Sequence, residues 1–150
     1  MTAARNGRAK RHRKLAWKLF GLLLCVSLPS TAANVKVIAN LSVKGSQVSP
    51  ANLKSIFLKT KTSLNDGSHV EPVLLKSGAA HEAFVKQYVG KTTAGLETYY
   101  RSRVFTGKGL MPQRFASDAE VVEYVRKTKG AIGYVTAEAS AEGVRILEVK

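Results

Sequence analysis

Leu74-Leu75-Lys76-Ser77-Gly78-Ala79-Ala80-His81-Glu82-Ala83-Phe84 is the stretch on which the fold turns. The run from Val70 to Leu75 is apolar and rich in strand formers. Pro72 implies a position near the strand start or an edge, because proline donates nothing to the ladder. Lys76-Ser77-Gly78 then breaks the strand pattern with small residues. From Ala79 to Val89 the apolar positions Ala80, Phe84 and Tyr88, with Val85, recur at helical spacing until Gly90 stops them. Strand, small-residue turn and helix in succession predict an α/β unit.

The flanking sequence repeats this alternation. Upstream, Val35-Lys36-Val37-Ile38-Ala39-Asn40 predicts a short strand. Ser49-Pro50 predicts a helix start, with a hydroxyl cap and proline at the first helical position. Leu53, Ile56 and Phe57 give that helix one buried face, and Asn65-Asp66-Gly67 marks a turn. Downstream, a third helix is expected from Thr93 to about Val104, carrying Leu96, Tyr99, Tyr100 and Arg103. Phe105-Thr106-Gly107-Lys108-Gly109 reads as a loop closed by Pro112. Ser117 and Glu120 form a capping box for a fourth helix through Thr128, with Val121, Val122 and Val125 inward beside Tyr124. Gly130 ends it. Ala131-Ile132-Gly133-Tyr134-Val135 is apolar throughout, as a strand covered on both faces would be. Val144 to Val149 alternates like a strand nearer an edge. The expected architecture is one α/β domain over 34–150, a short mixed sheet flanked by about four helices.

The head of the chain has a different composition. The 150 residues carry 24 Lys and Arg against 10 Asp and Glu, a net charge of +14. Taken whole, that balance suggests a nucleic-acid or membrane-surface binder. Seven of the basic residues lie within 1–33, which has no acidic one, so 34–150 carries about +7. Basic residues up to Lys18 precede the apolar run Leu19 to Leu28, followed by Pro29 and Ser30-Thr31-Ala32-Ala33. This is the three-part pattern of a secretory signal, with small residues placed for cleavage after Ala33. The apolar run is too short for the roughly 20 residues of a membrane-spanning helix. Retention as an anchor is the alternative. Cleavage would remove Cys25, the only cysteine, leaving neither a disulfide framework nor a thiol catalyst. A periplasmic location is therefore expected, with no stable membrane span after cleavage.

Signatures of catalysis are thin. His69 sits in a turn and His81 in the first turn of a helix, with no helix-paired ligand spacing, so no metal site or cofactor is expected. There is no Gly-x-Ser-x-Gly elbow. Lys54, Lys59 and Lys61 read as a solvated helix face rather than a nucleic-acid track. Two segments could hold an anion. At Ser77 to His81, a helix start offers free N–H groups and the positive end of the helix dipole. Ser77 adds a hydroxyl, Gly78 allows close backbone approach, and His81 is a further donor; the alternative is that Ser77 merely caps the helix. Phe105 to Gly109, with Arg101, Arg103 and Lys108, is either a second glycine-rich anion loop or a plain helix-ending loop. It lacks the Gly-Lys-Ser/Thr of a nucleotide P-loop.

Several of these pieces, in order, resemble the phosphate-type periplasmic solute-binding proteins of ABC transporters, especially their short single-domain members. They are Ser49-Pro50-Ala51-Asn52-Leu53-Lys54-Ser55-Ile56-Phe57-Leu58, Asn65-Asp66-Gly67-Ser68, Val70-Glu71-Pro72-Val73, Ser77-Gly78 through Phe84, Phe105-Thr106-Gly107-Lys108-Gly109 to Pro112, and Gly130-Ala131-Ile132-Gly133-Tyr134-Val135. The resemblance covers nearly all of 35–149 and implies a periplasmic-binding-protein-like lobe of type II. Ser77-Gly78 stands where that family has a Ser-Gly-Thr anion loop. Ala79 replaces the threonine, and His81 is the nearest substitute for an arginine common just inside the helix. Leu64 replaces an aromatic, and Tyr100 a tryptophan.

The resemblance implies a solute-binding role for ABC-type uptake, with phosphate or a similar small oxyanion held by Ser77, Gly78, Ala79, Ala80 and His81. It implies no enzyme activity. Full-length receptors close two lobes on the ligand. A single lobe is a half-site, which a homodimer, an ABC permease or another envelope protein would complete. The alternative is a non-catalytic envelope interaction module that reuses the lobe without binding solute.

Overall fold

The computed structural model describes residues 34–150. The expected signal segment, 1–33 with cleavage after Ala33, lies outside the described residues.

Six strands form one mixed sheet: β1 (Val35–Ala39), β2 (Gln47–Val48), β3 (Glu71–Leu75), β4 (Gln113–Phe115), β5 (Ala131–Thr136) and β6 (Arg145–Val149). Their order across the sheet is β2-β6-β1-β5-β3-β4. β1 runs antiparallel to β5 and β6, while β3 runs parallel to both β5 and β4. β5 is the fully buried strand expected from its unbroken apolar run, with Ala131 to Val135 all inside. Pro72, in register with Ile132, is the second residue of an interior strand, near the start as its chemistry requires. The two- and three-residue strands β2 and β4 have no counterpart in the sequence reading, because so few residues show no period.

Four helices cover the sheet: α1 (Pro50–Phe57), α2 (Ala79–Phe84), α3 (Thr93–Phe105) and α4 (Asp118–Lys127). The single helix expected over 79–89 is α2 running into a π-helical turn, Val85–Val89, closed by left-handed Gly90. On one face α4 packs over β5 at Gly133, where an added Cβ would come within 2.9 Å of Val73 and 3.0 Å of Val121. Alternation along the strands therefore puts Leu74 and Tyr134 on the opposite face, under α1 and α2. There Phe57, Phe84 and Tyr134 form an aromatic cluster with no solvent exposure.

Helix ends are satisfied by long-range partners. Tyr100 and Tyr99 of α3 donate their hydroxyls to the carbonyls of Phe57 and Leu58, the open end of α1. Buried Asn40 does the same for α4. Its Nδ2 donates to the carbonyls of Val125 (2.7 Å) and Arg126 (3.0 Å), and its Oδ1 accepts from the Ser42 amide (2.9 Å). Asn40→Leu removes all three bonds in a buried setting. We expect it to lower the unfolding free energy by about 2–4 kcal/mol, since each orphaned group costs about 1–3. Urea unfolding reads this directly, and a loss below about 0.5 kcal/mol, the level of an ordinary surface substitution, would rule out the Asn40 brace.

Candidate functional site

Two parallel strands, β3 and β4, lie side by side, yet the helices that follow them go to opposite faces of the sheet. β3 leads to α2 on the Tyr134 face, and β4 leads to α4 on the Gly133 face. Such a divergence at the carboxyl ends of the strands is the usual ligand position in an α/β sheet. Lys76-Ser77-Gly78 forms one lip. The Lys76 amide donates to the Phe115 carbonyl at 2.8 Å, tying this lip to the end of β4.

The two helix starts at this edge differ. α4 is closed by its own side chains: Ser117 Oγ accepts from the Glu120 amide, and Glu120 Oε2 accepts from the Ala116 amide at 2.8 Å. Asp118 in its first turn accepts from the amide and hydroxyl of Thr136. The N-cap of α2 is Gly78, not Ser77, and no side chain caps it. The Ser77 hydroxyl therefore does not cap the helix. Gly78 has φ 104° and ψ 167°, a conformation nearly reserved for glycine. Nothing lies within 4 Å of where its Cβ would be, so the space over the loop is open.

The five residues expected to hold an anion divide into two groups. Ser77, Gly78 and Ala79 are exposed at the lip, whereas Ala80 and His81 are buried. His81 Nδ1 lies 2.5 Å from the Tyr134 hydroxyl, which also accepts from the Leu75 amide at 3.3 Å. Burial pushes the Tyr134 hydroxyl well above its ordinary range, so it keeps its proton, and the imidazole tautomer sets which way its bond to Nδ1 runs. Burial, and then the Arg114 guanidinium, hold the imidazole below its usual pKa, against a smaller opposing pull from Glu82. The lowered pKa favours the neutral imidazole, which braces the loop through its bond to Tyr134.

Arg114 is the residue the sequence reading missed. It sits on β4 in register with Leu74, on the Tyr134 face. Its Nη1 is 3.7 Å from Glu97 Oε1, an oxygen already held by Arg101 at 2.8 Å. Its Nε is buried without a hydrogen-bond partner, a property shared among the described residues only by Arg145 Nε. A guanidinium with an unmet donor, close enough to α2 to depress His81, offers the positive charge that the first turn of α2 lacks. The only signal in the sequence is an arginine two residues after the Gly107–Pro112 loop.

The second expected anion loop is closed on itself. The amides of Thr106, Gly107 and Lys108 donate to the carbonyls of Ser102, Val104 and Arg103. Arg103 Nη2 donates to the Lys108 carbonyl at 2.7 Å. No amide in this set is left for a ligand. Among the described residues no group of His, Cys, Asp and Glu is placed to hold a metal ion, and no helix is long and apolar enough to cross a membrane.

No protein-family model and no curated protein matches this sequence. Solved structures do match, and they share the fold: this α/β lobe superposes on part of several phosphate ABC receptors. A phosphate ABC transporter substrate-binding protein from Clostridium perfringens, solved with bound phosphate, superposes with a TM-score of 0.60 at 16% identity, over 77% of this chain and 44% of that one. PstS from Borrelia burgdorferi gives 0.59 at 15% identity, over 77% and 47%. An ABC-type phosphate transport receptor from Vibrio cholerae gives 0.57 at 11%, over 77% and 45%. The chain therefore spans less than half the length of these receptors.

Proposed function

We propose that this domain is an exported, receptor-like lobe that holds phosphate or a similar small oxyanion at the start of α2, as part of ABC-type uptake across the periplasm. The observation that carries this reading is the uncapped helix start at the β3/β4 divergence, with the Arg114 guanidinium beside it. Donors would be the Ser77 hydroxyl and the amides of Gly78, Ala79 and Ala80; Arg114 supplies charge, and His81 positions the loop. None of these steps requires a nucleophile or a base, in keeping with a binding protein rather than an enzyme.

The lip is open to water, so the site is half of one. About three charge-assisted bonds at about 1.5–3 kcal/mol each, less the entropy of association, leave an affinity on the order of millimolar. Closure by a second copy, a permease or another envelope protein would tighten it by excluding water. Isothermal titration with phosphate, and with sulfate for comparison, is the test. Heat of binding with a millimolar midpoint, weakened several-fold in Ser77→Ala, is expected. Absence of heat at ten times that concentration would leave the lobe as an envelope interaction module that binds no solute.

A further inference from the structure

The end of α3 carries an exposed apolar knob that the oxyanion site does not use. Phe105 is 94% exposed and Leu110 80%, with Val104 at 43%. Large apolar side chains exposed together mark an interaction surface. This knob is held in shape. Besides the three loop amide bonds, Thr106 Oγ1 donates to the Ser102 carbonyl at 2.8 Å. Arg103 Nη2 also donates to the Lys59 carbonyl at 3.3 Å, anchoring the knob to the loop after α1. Gly107 (φ 67°) and Gly109 (φ 139°) take up backbone angles that let the chain reverse there.

Charge surrounds the knob on one side of the balance only. From Thr98 to Ser117 there are four basic residues, Arg101, Arg103, Lys108 and Arg114, and no acidic one. The nearby carboxylates are already engaged, Glu97 with Arg101 and Glu71 with Lys59. Lys108, at the tip, takes part in none of the ion pairs among the described residues and is exposed. An aromatic and a leucine projecting beside an exposed cation, Lys108, in a segment without acidic residues is the composition of an interfacial membrane anchor. A convex knob needs no shaped pocket in its partner, and a bilayer provides none. The amino-terminal segment combines the same elements in sequence, seven basic residues and a short apolar run.

We infer that the Phe105–Leu110 knob docks onto an anionic bilayer surface, with Phe105 and Leu110 in the acyl boundary and Lys108 at the headgroup phosphates. The test uses the full chain with its only tryptophan removed by Trp17→Phe and a fluorescent reporter introduced by Phe105→Trp. Vesicles of phosphatidylglycerol should shift the emission of this reporter indole to the blue, and brominated acyl chains should quench it, with a much smaller change on phosphatidylcholine. In the natural background, Phe105→Ser with Leu110→Ser should lower partition into phosphatidylglycerol vesicles about tenfold, and Lys108→Glu similarly, the latter leaving phosphatidylcholine partition unchanged. Circular dichroism should show an unaltered melting temperature in these variants, because the side chains removed are exposed. Vesicle-bound protein whose reporter emission does not move would overturn the inference, since the amino-terminal segment would then account for the binding alone. A lipid-independent shift that grows with protein concentration would overturn it too, and assign the knob to contact between protein chains.

Discussion

Phe84→Ala is expected to lower the unfolding free energy by about 3–5 kcal/mol, the range for truncating a fully buried aromatic. The ring stacks on Tyr134 at 3.8 Å between centroids and 7° between planes, and meets Phe57 edge-on at 4.6 Å. It is also in contact range of Tyr88, at 5.3 Å. It thus joins the helix after the candidate site to α1 and to the central strand, and all three lose contacts together. Collapse into the cavity is limited because Phe57 and Tyr134 are each fixed from elsewhere. Phe57 is held by the helix that Tyr100 caps, and Tyr134 by its bonds to His81 and Leu75. A domain of this size is typically stable by about 5–15 kcal/mol, so the variant should sit near its folding limit. In urea the midpoint should fall with an unchanged slope, and the melting temperature should drop by about 10–20 °C. A loss under about 1.5 kcal/mol, the level of a tolerated core swap, would mean that the three rings do not form one packing unit.

Arg114→Ala is the second large effect, and it falls on binding rather than stability. Its one ion pair is long, at 3.7 Å, to a carboxylate already held by Arg101, and the side chain is 26% exposed. A pair of that kind contributes about 0–1 kcal/mol. Removing a buried, unpartnered Nε also lifts a desolvation cost, so folding stability should change little. Affinity for phosphate should nevertheless fall at least tenfold, about 1.5–3 kcal/mol for a charged hydrogen-bond partner. Arg114→Lys should keep part of it, because the charge remains while the planar fork is lost. A second readout separates binding from scaffolding. Since the guanidinium helps hold His81 neutral, the imidazole pKa followed by NMR should rise in Arg114→Ala. Unchanged phosphate affinity together with the raised His81 pKa would remove Arg114 from the anion site while leaving it beside α2.

Strong local signals predicted most of the secondary structure. Ser49-Pro50, and Ser117 with Glu120, mark helix starts by hydrogen-bonding chemistry that acts within four residues, and Gly90 and Gly130 mark ends by backbone angle. The unbroken apolar run of β5 announced a strand covered on both sides. Where the signal was short, it failed. β2 and β4 have two and three residues, so nothing in their own sequence distinguishes them from loops; they are strands because β6 and β3 offer them a ladder. The helix over 79–89 is expected as one helical stretch, and its π turn, which packs against α1, leaves no mark in the sequence period.

The sequence by itself therefore determined the class: an α/β fold whose small-residue turn at Ser77-Gly78 begins a helix. Those are statements about neighbours in the chain, governed by period, cap and turn. Only the tertiary structure decided the composition of the site. Pairing β3 with β4 brought Arg114 beside α2 across some forty residues of sequence, and burial against Tyr134 turned His81 from an expected donor into a brace. The physical reason is that strand pairing and desolvation act between residues distant in the chain, where no local pattern carries a trace of them.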